Sequence, residues 1–194
     1  MTDHEHRDEH GHAHHSDWRS DLVAMREDAA HYYEHQFDWR GHGPPADFHG
    51  PRFFAPSEEW RREARLDTTA PGTGSKVTLP TSTGKLREMS IAGQLVFDVD
   101  GAEQRLTVYL SHAHGVEDSL FVPFRDATSG SETYGSGRYL DQPYDPEADR
   151  YLLDFNLAYN PSCAYSPAYD CPYPPPGNRL GVRIEAGEMV PVEN

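Results

Sequence analysis

The stretch Leu95–Leu110, LVFDVDGAEQRLTVYL, decides the fold class. Leu95, Phe97 and Val99 recur at every second position, and Leu106, Val108 and Leu110 do the same beyond Asp100-Gly101. A period of two is that of a strand with one buried face. Asp-Gly between two such runs is a tight-turn signal, because both turn residues need positive φ. The stretch therefore reads as an antiparallel β-hairpin.

Further strand signals lie on both sides of the hairpin. Val77 and Leu79 alternate with polar neighbours, and Pro80 marks an edge or a strand end. The short Gly-rich GTGSK (Gly72–Lys76) lacks the full phosphate-loop pattern and reads as a turn before Val77. Later candidates are Leu120–Phe124, Arg138–Leu140, Tyr151–Asn156 and Leu180–Glu185. Ahead of them, Trp18, Leu22, Val23, Met25, Ala29, Ala30 and Tyr33 fall near one helical stripe, with Ser16 or Asp17 as its cap. GHGPPADFHGPRFFAP (Gly41–Pro56) reads as a loop. The expected fold is mainly β, an antiparallel barrel-like or sandwich domain with an N-terminal α-helix. Its expected organisation is a disordered His-rich acidic tail over 1–17, the helix and loop over 18–47, and a β domain over 48–194.

Charge narrows the function classes. With 17 basic and 32 acidic residues the net charge is −15, which argues against nucleic acid or an anionic membrane surface as partner. No stretch reaches the roughly 20 apolar residues of a membrane span. The opening MTDHEHRDEHGHAHH has no apolar signal-peptide core, so a cytoplasmic location is expected. Among the basic residues only Lys76 and Lys85 are lysines. A lysine-poor acidic surface suits high salt, where carboxylate repulsion is screened. GC-rich codon usage, which prefers Arg to Lys, produces the same bias.

Two longer runs carry a resemblance. FVPFRDATSGSETYGSGRYL (Phe121–Leu140) and LDFNLAYNPSCAYSPAYDCPYPPPGNRL (Leu153–Leu180) resemble the two signature blocks of the domain of unknown function 1684 family. The strands from EEWRREARLD (Glu58–Asp67) to Leu110 are similar to those preceding the blocks in that family. The resemblance spans Phe48–Glu188 and implies no established activity, so function is argued from the residues.

The leading candidate site is a polar set drawn from both blocks: Asp126, Thr128, Ser129, Thr133, Tyr134, Arg138, Asp154, Asn156, Tyr159 and Asn160. Asp154 and Asn156 are two apart on an expected strand and so share a face. Arg138 is a bidentate partner for either Asp126 or Asp154. One reading is a binding module whose loops, Asp126–Arg138 and Asp154–Asn178, enclose a small polar or aromatic ligand. The enzyme alternative is a hydrolase or lyase with Asp126 or Asp154 as general base and Arg138 as a clamp. The structural alternative is a hydrogen-bonded network tying long loops to a small barrel.

Cys163 and Cys171 form a C-x7-C pair, unlike redox C-x-x-C or zinc-knuckle spacing. Three readings stand: a disulfide, a reduced structural pair, or a metal or redox pair, the metal completed by His112 or His114. The tail is the other metal candidate. His4, His6, His10, His12, His14 and His15 on a flexible chain would coordinate a divalent metal, with His10, His12, His14 and His15 the densest group. A compositionally biased tail or an appended expression segment accounts for the same pattern. His112–His114 reads more simply as a hairpin loop. No motif names a cofactor: G-x-S-x-G and H-E-x-x-H are both absent.

Overall fold

A computed structural model describes residues 17–41, 43–44, 46–113 and 116–191. The expected hairpin is present. Strand β3 (Leu86–Val99) and strand β4 (Ala102–Ala113) pair antiparallel, with Val99 opposite Ala102. Only Asp100 and Gly101 lie between them, both with positive φ (55° and 78°). That backbone twist matches the right-handed twist of the strands it joins. The strands are longer than the alternating run alone suggested, and the register shifts between Ile91 and Gly93. Gly93 has φ 152°, and a Cβ there would lie 2.7 Å from the Asp67 carbonyl oxygen, so the bulge requires glycine.

The other strands are β1 (Arg61–Asp67), β2 (Lys76–Pro80), β5 (Val116–Phe124), β6 (Arg138–Pro143) and β7 (Arg150–Asp154). They form one antiparallel seven-stranded sheet in the order β6-β5-β4-β3-β1-β7, with β2 also paired to β3. The sheet curls into a nearly closed barrel. Just after β7, Tyr159 exchanges backbone hydrogen bonds with Tyr139 of β6 (2.9 and 3.0 Å), bringing the two ends of the sheet together.

Alternation sorts the strand side chains onto two faces. Leu95, Phe97, Val99, Leu106, Val108, Leu120, Val122, Phe124, Leu140 and Leu153 fill the barrel interior. The intervening Tyr109, Phe121 and Tyr139 form a second cluster with Leu79 of β2, flanked by Tyr159 and Cys171 of the second signature block. The sheet is thus apolar on both faces in this region, one face filled by the barrel and the other covered by loops.

Leu180–Glu185 is not a strand, contrary to the alternation expected from its sequence. Arg179 bridges Arg125, and Leu180 N–H donates to the Arg125 carbonyl, but the Ile184 N–H is taken by the Asp126 carboxylate (2.7 Å). One further backbone bond follows, from Ala127 N–H to the Val182 carbonyl (2.9 Å), and with the Ile184 donor diverted the segment crosses the barrel end as an extended strap that inserts Leu180, Ile184 and Ala186 into the core. Asn178, just before the strap, joins β4 to β5. Its Nδ2 donates to the carbonyls of Thr107 and Pro123 (2.7 Å each), and its Oδ1 accepts from Thr107 N–H (2.8 Å).

Helix α1 (Trp18–His35) starts at Asp17, whose carboxylate accepts from Arg19 N–H. Its buried stripe is narrower than expected: Leu22 and Tyr33 face inward, while Val23 and Met25 are about half exposed. Arg26 at its middle donates to the Phe54 carbonyl (2.9 Å), and an aromatic cluster holds its C-terminal end and the residues just after it. Tyr33, Phe37 and Trp39 pack against Phe48, Tyr165 and Tyr169, and Tyr33 lies 4.3 Å centroid to centroid from Tyr165. Among the described residues, no helix is long and apolar enough to cross a membrane.

Candidate functional site

The ten polar residues singled out from the signature blocks divide among separate surroundings. Asp126, Thr128, Ser129 and Thr133 form a knot at the turn after β5. The Asp126 carboxylate accepts from the Thr128 hydroxyl (2.8 Å), Ser129 hydroxyl (3.2 Å), Thr128 N–H (3.3 Å) and Ile184 N–H (2.7 Å). Thr128 and Thr133 hydroxyls share a further bond of 2.9 Å. Arg138 closes the knot. Its guanidinium lies 3.6 Å from Asp126, and it donates to the carbonyls of Ala186, Ile184 (3.0 Å) and Glu188 (3.1 Å). Both side chains are wholly shielded from solvent. The strap covers Asp126 and Arg138, so this knot leaves no opening.

Asp154 sits elsewhere. It pairs with Arg61 (3.0 Å) and accepts from both the backbone N–H and the side-chain amide of Asn156. That carboxylate caps a 3-10 turn at Phe155–Leu157, so the strand stops at Asp154 and does not carry Asn156 on the same face. Asn156 instead exchanges two hydrogen bonds with the Ser57 backbone (2.7 and 2.8 Å).

Asn160 belongs to a third group, centred on an acid the sequence reading passed over. Glu188 is buried and accepts from Asn160 N–H and the Tyr165 hydroxyl (2.8 Å each). Burial raises its carboxyl to about 7, opposed by these hydrogen bonds and by Arg138 and Arg26 nearby. An acid inside the weakly polar run AGEMVP (Ala186–Pro191) was the available signal.

A cleft lined by aromatic rings involves a different set of side chains. It measures about 660 Å³ and lies on the outer face of the sheet, between β2–β6 and the loop from Tyr159 to Pro172. That volume falls within the range of small-molecule sites. Phe121, Tyr139 and Met89 form its floor, and Tyr159 and Tyr169 its loop wall. The Phe121 and Tyr139 rings meet edge to face at 4.7 Å. Tyr139 donates its hydroxyl to the Pro172 carbonyl, and Tyr159 donates to Asp141 (2.6 Å). Burial raises both phenols above the ordinary tyrosine value, so both stay protonated donors at neutral pH. Charges at the rim are matched: Lys76 with Glu88 (2.7 Å), and Arg87 with the Asp170 carbonyl (2.9 Å). Tyr159 is the only one of the ten that lines this cleft.

Cys171 lines the cleft as well, and both cysteines are free thiols of intermediate exposure. Cys163 N–H donates to the Cys171 sulfur (3.3 Å). Tyr134 of the first signature block lies near enough to Cys163 of the second for each to influence the other's proton. The tail histidines, including His10, His12, His14 and His15, lie outside the described residues, as do His114 and the side chain of His112. Among the described residues no group of three or more His, Cys, Asp or Glu side chains is arranged to hold a metal ion.

The knot, the strap and the cleft-facing loop all fall within residues 46–189, and that span matches the sequence pattern of the family described as protein of unknown function DUF1684. The chain belongs to the DUF1684 family. The solution NMR structure of an uncharacterized protein from Haloarcula marismortui is similar over 91% of this chain and 96% of its own, with a TM-score of 0.67 and 33% identity. No curated protein matches the chain. Membership accounts for the fold and for the two signature blocks, while an activity has to be argued from this DUF1684 member's own cleft.

Proposed function

We propose that this DUF1684 protein is a cytoplasmic binding module, and that the cleft beside Tyr159 takes a small flat molecule carrying an aromatic ring and a polar substituent. The supporting observation is the lining: Phe121, Tyr139, Tyr159 and Tyr169 around about 660 Å³. Aromatic walls offer face and edge contacts to another ring, each worth about 0.5–1.5 kcal/mol beyond area burial. The rim charges already have partners, so a strongly charged ligand would have to displace Glu88 or Asp170. Arg87, which gives one N–H group to the Asp170 carbonyl and keeps others, orients a polar substituent. The hydrolase or lyase alternative gains less support, because Asp126 is sealed and Asp154 is held by Arg61 and Asn156.

The test is a 1H–15N titration with matched panels of small aromatic and aliphatic compounds. Shifts for the aromatic panel concentrated at residues 87–90 and 159–172, and lost in Tyr159→Ala, are the expected result. Shifts scattered over the barrel, or equal for both panels, would reject the assignment.

A further inference from the structure

We propose that Cys163 and Cys171 act as a thiol–disulfide exchange pair for low-molecular-weight disulfides, with Cys163 as the attacking sulfur and Cys171 as the resolving one. This chemistry is independent of whether the cleft holds an aromatic ligand. It rests on where the second signature block places the two thiols.

The loop between them is pinned at both ends. Cys163 lies in a 3-10 turn (Ser162–Ala164), and its backbone N–H points at the Cys171 sulfur at 3.3 Å. Cys171 is held by the β2–β3 turn: its N–H donates to the Ser82 hydroxyl (3.1 Å), and its carbonyl accepts from Ser82 N–H (2.9 Å). Thr81 bridges Pro172 directly after it. The Cys171 sulfur is thereby held against the Cys163 backbone across a fixed loop, and both residues are partly exposed. Cys171 opens onto the cleft, while Cys163 is met by a small disulfide at the partly exposed turn outside it.

The surroundings make the two thiols unequal. The neighbouring Cys171 thiol brings the Cys163 thiol down to about 7, against the opposing effect of burial. The same contact raises Cys171, which keeps the proton while its neighbour carries the charge. Thiolate is the nucleophile, so Cys163 reacts first. Once Cys163 is in a mixed disulfide its charge is gone, and with it the main reason for Cys171 to retain a proton. Arg87, which lowers the Cys171 thiol, then favours the second thiolate.

The steps balance. The Cys163 thiolate attacks one sulfur of the disulfide RSSR, forming Cys163–S–S–R and expelling RS⁻, which takes up the proton that Cys163 released. The Cys171 thiolate then attacks the Cys163 sulfur, forming the Cys163–Cys171 bond and expelling a second RS⁻, which takes the Cys171 proton. The protein dithiol is oxidised by two electrons and RSSR is reduced to two RSH.

Oxidised glutathione is the probe, and intact-protein mass after rapid alkylation is the readout. The full chain is expected to lose both alkylatable thiols while retaining no glutathione. Cys171→Ser is expected to accumulate one glutathione on Cys163, and Cys163→Ser to react at least tenfold more slowly. Wild-type protein that keeps both thiols under excess oxidised glutathione would overturn the proposal without reference to any variant. Equal reaction rates for the two serine variants, with both folded by circular dichroism, would overturn the assigned roles.

Discussion

Arg138 and Asp126 lie 3.6 Å apart with neither side chain open to solvent, yet most of the guanidinium's hydrogen bonds go to the carbonyls of Ile184, Ala186 and Glu188. The ion pair is therefore a clasp that holds the C-terminal strap on the barrel. Asp126 holds the same strap from the other side through Ile184 N–H.

Removing the clasp exposes its function directly. Arg138→Ala leaves a buried carboxylate without its counter-charge and three carbonyls without their donor, and is expected to cost about 3–5 kcal/mol in urea denaturation. Arg138→Lys restores one charge without the fork, so it should recover only part of that loss. Amide exchange at residues 184–188 should accelerate in both variants before exchange in β3 and β4 does. Arg138→Ala within 1 kcal/mol of wild type would contradict the clasp.

Glu188 gives stability a pH dependence of definite sign. Its carboxyl rises from an ordinary value of 4.5 to about 7 in the folded protein. The folded state binds this proton more tightly than the unfolded state does. The resulting stabilisation is complete below the unfolded value and disappears as pH rises through about 7. The span corresponds to a loss on the order of 3 kcal/mol. Glu188→Gln keeps an acceptor for Asn160 and Tyr165 but cannot ionise. The difference in unfolding free energy between variant and wild type should grow in the variant's favour from pH 5 to pH 8. A constant difference over that range would refute the assignment.

The surface charge predicts a response to salt. At −15 with two lysines, carboxylate repulsion dominates the exterior. Raising KCl from about 0.1 M to about 1 M shortens the screening length from roughly 10 Å to roughly 3 Å, and the melting temperature should rise. A flat or falling melting temperature would favour codon bias as the source of the arginine preference.

The His-rich tail is expected to carry divalent-metal binding independently of the barrel. Deleting residues 1–15 should abolish tight Ni²⁺ binding in calorimetry and leave the β-sheet circular dichroism unchanged. Full stoichiometry in the truncated protein would move the metal to the described part of the chain.

Sequence alone determined the hairpin, because everything that specifies it is local. Alternation from Leu95 to Val99 and from Leu106 to Leu110 assigns the faces, and Asp100-Gly101 supplies the two positive φ values. The helix start at Asp17 and the family blocks were legible for the same reason. Tertiary structure alone decided which polar residues meet. Arg138 reaches carbonyls 46 to 50 residues away, and Asp154 turns to Arg61, 93 residues distant. It also decided that Leu180–Glu185 becomes a strap, since the Asp126 carboxylate competes for the Ile184 N–H. Periodicity reports which way a side chain points. What covers that face depends on chain closure over long separations, and so the outer rings of Phe121 and Tyr139 became the floor of a cleft through contacts no local pattern encodes.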